Sequence, residues 1–172
     1  NLITSLMEYN EKNLDGWSIP IEAFKWILEN IPKGSTILEL GSGNGTKELV
    51  KYYNVISIEE NEKWVNVVPE STYIYSPLKK YPFVNKHSCC WYDDDKLNNL
   101  PKEYDLLIID GPVGNNRGNF IHFMDKFKKD IPYVIDDTQR EGDRKMALNL
   151  AERLNKKHLE IKGWQKQMII LL

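Results

Sequence analysis

Five short runs of this chain are apolar at nearly every position instead of every second one: Thr36–Leu40 (TILEL), Val55–Glu59 (VISIE), Thr72–Tyr75 (TYIY), Tyr104–Asp110 (YDLLIID) and Tyr133–Asp136 (YVID). A strand with one wet face alternates, so strands without alternation must be covered on both faces. Segments of helical period lie between and around them. Ile21–Ile31 sets Phe24, Ile27, Leu28 and Ile31 on one face, and Gly142–Lys157 does the same with Met146, Leu150, Ala151 and Leu154. Shorter helical stretches are read at Lys47–Tyr53, at Glu62–Val68 before Pro69, and at Asn119–Lys129. The pattern predicts an α/β, doubly wound, mostly parallel sheet with helices on both faces. The final LEIKGWQKQMIILL carries a turn signal at Lys162-Gly163 between two strand-like runs, which predicts a C-terminal antiparallel hairpin.

With 172 residues and 41% hydrophobic content, the chain is long enough for one sizeable core, and no linker or repeat divides it. A single domain over 1–172 is expected, with 1–34 as an N-terminal helical or lid segment. The formal net charge of -2 excludes a generally basic nucleic-acid binder, so no nucleic-acid partner is expected. No run approaches the apolar length of a membrane span, and no signal-peptide pattern opens the chain, so no membrane partner is expected. The only two cysteines, Cys89 and Cys90, are sequence neighbours, poorly placed for a disulfide and too few for a zinc site. A cytoplasmic setting is the expectation. The chain begins at Asn1 instead of Met, so further native residues are expected ahead of it.

Polar residues cluster where the predicted strands end. Gly41, Gly43 and Gly45 follow the first strand, Glu59 ends the second, Asp110 ends the fourth, and Asp136 and Asp137 end the fifth. In a doubly wound sheet the carboxyl ends of the strands form the ligand crevice. Three glycines at alternate positions imply that backbone must approach something closely. The turn does not match G-x-G-x-x-G, because Thr46 stands at the last glycine, and Gly45-Thr46-Lys47 lacks the end of a P-loop. Glu39 lies inside an otherwise apolar strand, and Glu59 is placed to accept two hydrogen bonds from a ribose diol.

LELGSGNGT followed by VISIEENEKW, YDLLIIDGP and YVIDDT resembles the class I S-adenosylmethionine-dependent methyltransferases over roughly Ile37–Thr138. The resemblance implies a Rossmann-like fold and S-adenosylmethionine as cofactor. It makes Glu39, Gly41, Ser42, Gly43 and Gly45 the cofactor loop and Glu59 the ribose ligand. Within that family, Asp110-Gly-Pro-Val differs from the Asp/Asn-Pro-Pro-Tyr/Phe of base N-methyltransferases. An acid after the fourth strand and an Asp-Asp pair after the fifth look more like metal-using O-methyltransferases of small molecules. Asp110-Gly-Pro with Arg117 downstream, then Arg140-Glu141, is similar to polysaccharide methyltransferases acting on glucuronic acid residues of xylan. The implied activity is methyl transfer to a hydroxyl of a small-molecule or saccharide acceptor. Asp110 or Asp137 would be the catalytic base, or Asp110, Asp136 and Asp137 would bind a divalent metal ion. Val113 stands where the catechol type has a lysine, which excludes a lysine base at that spacing. An aminopropyl transferase of the same fold and a non-catalytic nucleoside-binding or interaction module are the alternatives.

Four further features have plainer readings. Cys89-Cys90 fill core space, Trp91–Lys96 (WYDDDK) is a solvated turn, and His122 beside Phe120 and Phe123 is a partly buried structural histidine. Trp17 is equally a lid over the site or a core anchor.

Overall fold

The computed structural model describes residues 2–4, 19–82, 90–163 and 166–172. Helix α1 (Ile21–Asn30) leads into β1 (Thr36–Leu40), α2 (Asn44–Leu49) and β2 (Asn54–Glu59). Then come β3 (Thr72–Tyr75), β4 (Leu78–Lys80), β5 (Cys90–Tyr92) and β6 (Leu106–Ile109). The short α3 (Phe120–Phe123), β7 (Tyr133–Ile135), the long α4 (Glu141–Arg153), β8 (His158–Lys162) and β9 (Gln167–Leu171) complete the order. Seven strands form one sheet in the order β3-β2-β1-β6-β7-β9-β8, while β4 and β5 make a separate antiparallel ribbon. The first five of the seven run parallel, and β9 pairs antiparallel with both β7 and β8.

This is the predicted doubly wound sheet with its terminal hairpin, and burial explains it. β6 and β7 are buried at every residue, and β1 at all but its first. One apolar cluster packs Leu38, Leu40, Leu107 and Ile109 beneath Phe120, Met146 and Leu150. The other packs Ile37, Leu106, Ile108 and Ile170 beneath Phe24 and Ile27 of α1. Adjacent residues of β1 thus point to opposite helical layers, Leu38 and Leu40 to one and Ile37 to the other, as the pleat requires. None of the described helices is long and apolar enough to cross a membrane.

The local readings diverge in five places. α2 starts at Asn44, inside the glycine turn, because the Thr46 hydroxyl accepts a hydrogen bond from the Gly43 N–H at 3.0 Å and stabilises the first turn. Glu62–Val68 forms only one 3-10 turn, Glu62–Trp64. Val65 is extended and Asn66 is left-handed (φ 63°), and three valines in four residues disfavour helix. Asn119–Lys129 breaks into α3 and a 3-10 turn at Met124–Lys126. Trp91 and Tyr92 belong to β5 and are fully buried, Trp91 stacking on Phe123 with centroids 4.1 Å apart. Only the aspartates of WYDDDK form the solvated turn. His122 is exposed, since the α3 face that enters the core carries Phe120 and Phe123. Cys90 is half-buried, and Cys89 and Trp17 lie outside the described residues.

Candidate active site

Strand order reverses between β1 and β6, whose neighbours in sequence lie on opposite sides. The carboxyl ends of these two strands flank the crevice that such a reversal opens. A solvent-open cleft with about 320 Å³ of empty space lies there, lined by Glu39, the turn Gly41–Thr46, Ile108 and Asp110, with Ile19 reaching in from the segment before α1.

The glycines of the turn serve different ends. Gly41 is left-handed (φ +84°), and a Cβ there would stand 2.7 Å from the Asp110 carbonyl oxygen, so its identity is required by the contact between the β1 and β6 ends. At Gly41 the close backbone approach inferred from the glycines is made by the chain's own β6 end. A Cβ on Gly43 would meet nothing within 4 Å. That open space faces the cleft that Gly43 and Gly45 both line.

Two carboxylates support the turn from below. Glu39, 4% exposed, accepts hydrogen bonds from the Thr46 and Ser57 hydroxyls, each at 2.6 Å. Burial pushes its pKa up to about 7, against the pull of these two donors. Glu59 accepts from the Ser42 N–H and hydroxyl on Oε2 and from the Asn61 N–H on Oε1, all at 2.9 Å. It lies behind Ser42 and clamps the glycine turn. Glu60 turns away and accepts from the Val113 N–H at 3.0 Å. Neither Glu39 nor Glu59 has an ion pair among the described residues.

At the ends of β6 and β7 the sequence-predicted aspartates do converge: Asp110, Asp136 and Asp137 each offer an oxygen within 4.8 Å of the others. Two cations stand among them. Arg117 bonds Asp137 at 2.8 Å, lies 3.3 Å from Asp110, and donates to the Asp110 carbonyl at 2.9 Å. Lys166 bonds Asp136 at 2.9 Å and lies 3.6 Å from Asp137. Arg140 adds a further contact to Asp137 at 3.3 Å, and Gln139 donates to its Oδ1 at 3.0 Å.

Asp137 is therefore fully engaged. Its loss of water is outweighed by the Arg117 hydrogen bond and the Lys166 charge, which hold its pKa below the ordinary carboxylate value. Asp137 anchors Arg117, and its own backbone is left-handed (φ 58°). Asp110 is the opposite case. Its side chain is 26% exposed, and partial desolvation together with the neighbouring Asp136 charge raises its pKa well above the usual range, despite Arg117 and Lys166. The set fits a divalent metal ion poorly, because a guanidinium and an ammonium already occupy the space between the carboxylates and would repel it.

The sequence offers Arg140 and Arg117 as ion-pair partners of Asp136; both side chains instead reach the Asp137 carboxylate, and the Asp136 carboxylate is taken by Lys166, which the sequence reading misses. A signal for Lys166 existed. β9 runs antiparallel to β7, with Ile135 opposite Ile169, so the residue entering β9 must lie beside the carboxyl end of β7, where Asp136 and Asp137 sit.

No protein-family model matches the chain, and no curated protein matches it in sequence. Solved structures do match in fold. The O-methyltransferase TomG of Streptomyces achromogenes, in complex with S-adenosylmethionine, superposes with a TM-score of 0.57 at 13% identity, covering 99% of this chain and 88% of that one. A ribosomal protein L11 methylase of Lactobacillus delbrueckii gives 0.58 at 11% identity, covering 88% and 76%. The S-adenosylhomocysteine-bound methyltransferase PaMTH1 of Podospora anserina gives 0.54 at 14%, covering 98% and 86%. The fold is thus the Rossmann-like fold of the class I S-adenosylmethionine-dependent methyltransferases.

Proposed function

We propose that the chain is an S-adenosylmethionine-dependent methyltransferase that methylates a hydroxyl of a small molecule or sugar. The observation that carries this reading is the cleft at the β1–β6 switch point, where a glycine turn with open space at Gly43 rests on two carboxylates that have no ion pair among the described residues. A cationic ligand completes such a site electrostatically, whereas a phosphate would be repelled.

When bound, S-adenosylmethionine supplies a methyl group on a cationic sulfur that leaves as a neutral thioether. The protein's share is to align donor and acceptor and to take up one proton. Glu39 and Glu59 fix the turn that holds the donor. With the donor bound, Asp110 would take up the proton that the acceptor hydroxyl gives up on methylation. Its place in the cleft lining, with the side chain part-exposed, suits that role, since a base must come within hydrogen-bond reach of the proton it takes. Arg117, anchored by Asp137, keeps Asp110 at the cleft.

Calorimetry with S-adenosylmethionine and S-adenosylhomocysteine tests the first half, and absence of binding by both would sink the reading. Transfer of radiolabelled methyl to sugars, polyols and catechols tests the second. Asp110→Asn is expected to lower the rate by roughly 10²- to 10⁴-fold with nearly unchanged cofactor affinity.

A further inference from the structure

We propose that Lys166, delivered by the β8–β9 turn, supplies with Arg117 the fixed counter-charge that a divalent cation would otherwise bring to Asp110, Asp136 and Asp137. This rests on the reading of Asp110 as proton acceptor in the cleft. Lys166 is then a positioning residue, acting through the carboxylates.

The backbone around Lys166 is pinned on both sides. The Gly163 N–H donates to the Lys166 carbonyl at 2.8 Å, and a Cβ on Gly163 would come within 3.0 Å of that carbonyl, of Pro20 and of Glu22, so the turn is wedged against the start of α1. On the other side the Thr138 N–H donates to the Gln167 carbonyl, and the Gln167 N–H to the Gln139 side chain, each at 2.9 Å. These bonds join the first residue of β9 to the loop that carries Asp137. The Lys166 side chain is only 12% exposed and ends on Asp136, which is wholly buried. A lysine is flexible and strongly hydrated, so holding it indoors on a pinned backbone is costly unless its charge is needed there. The network has no cation to spare: Asp110, Asp136, Asp137 and the neighbouring Asp143 face Arg117, Lys166 and the outer Arg140. Arg117 reaches Asp110 and Asp137, and Lys166 is the cation that reaches Asp136 among the described residues.

The test uses the full chain with Mn²⁺ as probe, a hard cation suited to carboxylates. Wild type is expected to show no saturable Mn²⁺ binding at millimolar concentration by calorimetry, and the same thermal midpoint in EDTA and in MnCl₂. Lys166→Met frees Asp136 and should gain saturable Mn²⁺ binding, at least roughly tenfold tighter than any in wild type, with a thermal midpoint that Mn²⁺ raises. Lys166→Arg keeps the charge and should behave as wild type. Saturable one-site Mn²⁺ binding by wild type that Asp136→Asn abolishes overturns the proposal, and so does a folded Lys166→Met as indifferent to Mn²⁺ as its parent. Should Lys166→Met not fold, the wild-type titration and Lys166→Arg decide: a Lys166→Arg chain that acquires Mn²⁺ binding counts against the proposal. S-adenosylhomocysteine binding, measured alongside, separates failure of this inference from failure of the methyltransferase reading.

Discussion

The two halves of the crevice carry carboxylates in opposite states. On the β1–β2 side, Glu39 and Glu59 are held by hydroxyls and backbone N–H groups and have no ion pair among the described residues. On the β6–β7 side, every aspartate touches Arg117 or Lys166. A buried acid without a cation is costly, and its cost is recovered when a cationic ligand arrives. A buried acid with a protein cation is already balanced, and what it offers a ligand is geometry and a place for a proton. Under the proposed function, the first half is the one suited to the cationic donor and the second the one suited to a neutral hydroxyl.

The sharpest way to break the comparison is to remove a cation from the balanced half. Arg117→Met leaves Asp137, with a side chain 6% exposed, beside Asp110 and Asp136 without its closest partner. Breaking one side of a buried pair costs about 3–5 kcal/mol, to be read as a lower midpoint in urea unfolding. A loss under about 1 kcal/mol, the worth of an exposed pair, would mean that the network is not balanced as described.

The glycine turn gives the next largest effect. Gly41→Ala imposes a side chain on a left-handed residue and drives it toward the Asp110 carbonyl, which should cost about 2–4 kcal/mol in folding. Gly43→Val enters open space, so circular dichroism should show a folded chain while calorimetry shows no S-adenosylhomocysteine binding. If Gly43→Val unfolds, the open space is not reserved for a ligand.

Removing an acid from the unbalanced half should have the opposite sign. Glu39 ionises at about 7 in the folded, ligand-free chain against an ordinary value of 4.5, mainly because it is buried. The folded state then holds its proton more tightly than the unfolded one, so stability falls as pH rises from about 4.5 to about 7 and stays low above that. The full shift corresponds to about 3 kcal/mol as an upper bound. Glu39→Gln should therefore raise the thermal midpoint at pH 8, leave it nearly unchanged at pH 4.5, and weaken S-adenosylmethionine binding at pH 8. Equal effects at both pH values would show that the carboxylate is not desolvated in the way the fold places it.

Sequence reading recovered the first half of the crevice more fully than the second, for a physical reason. Glu39 and the turn Gly41–Thr46 are contiguous, and Glu59 ends the adjacent strand, so strand direction alone brings them together. What strand direction could not show is that Glu59 grips Ser42, since that depends on the path of the turn. In the second half the aspartates were legible as strand ends and Arg117 and Arg140 as cations within reach, but Lys166 and the actual pairing were not. Arg117 reaches back through a 3-10 turn, and Lys166 arrives from thirty residues past Asp136 by way of the hairpin. The charge that compensates Asp136 comes from a side chain whose place depends on β9 pairing with β7. Glu62–Val68 failed at the level of local propensity, where valines and a left-handed Asn66 outweighed an apparently helical spacing.

The smallest predicted effect bears on how Glu59 contributes to the cationic half. Its Oε2 receives two bonds from Ser42, one from the backbone N–H and one from the hydroxyl, both at 2.9 Å. Ser42→Ala removes the hydroxyl and keeps the backbone bond, so the turn should stay in place and S-adenosylhomocysteine affinity should drop by about 1 kcal/mol, roughly fivefold. Glu59→Ala removes the clamp and the proposed ribose partner together and should cost about 1.5–3 kcal/mol of binding. If Glu59 acts only by holding the turn, the two losses are not independent, and Ser42→Ala added to Glu59→Ala changes nothing further. If the carboxylate also meets the ribose diol, Glu59→Ala should exceed Ser42→Ala by at least the worth of one charge-assisted hydrogen bond, and a double-mutant cycle read by calorimetry would return a coupling smaller than the Glu59→Ala loss itself. A Glu59→Ala loss no larger than the Ser42→Ala loss would confine Glu59 to the scaffold of the glycine turn.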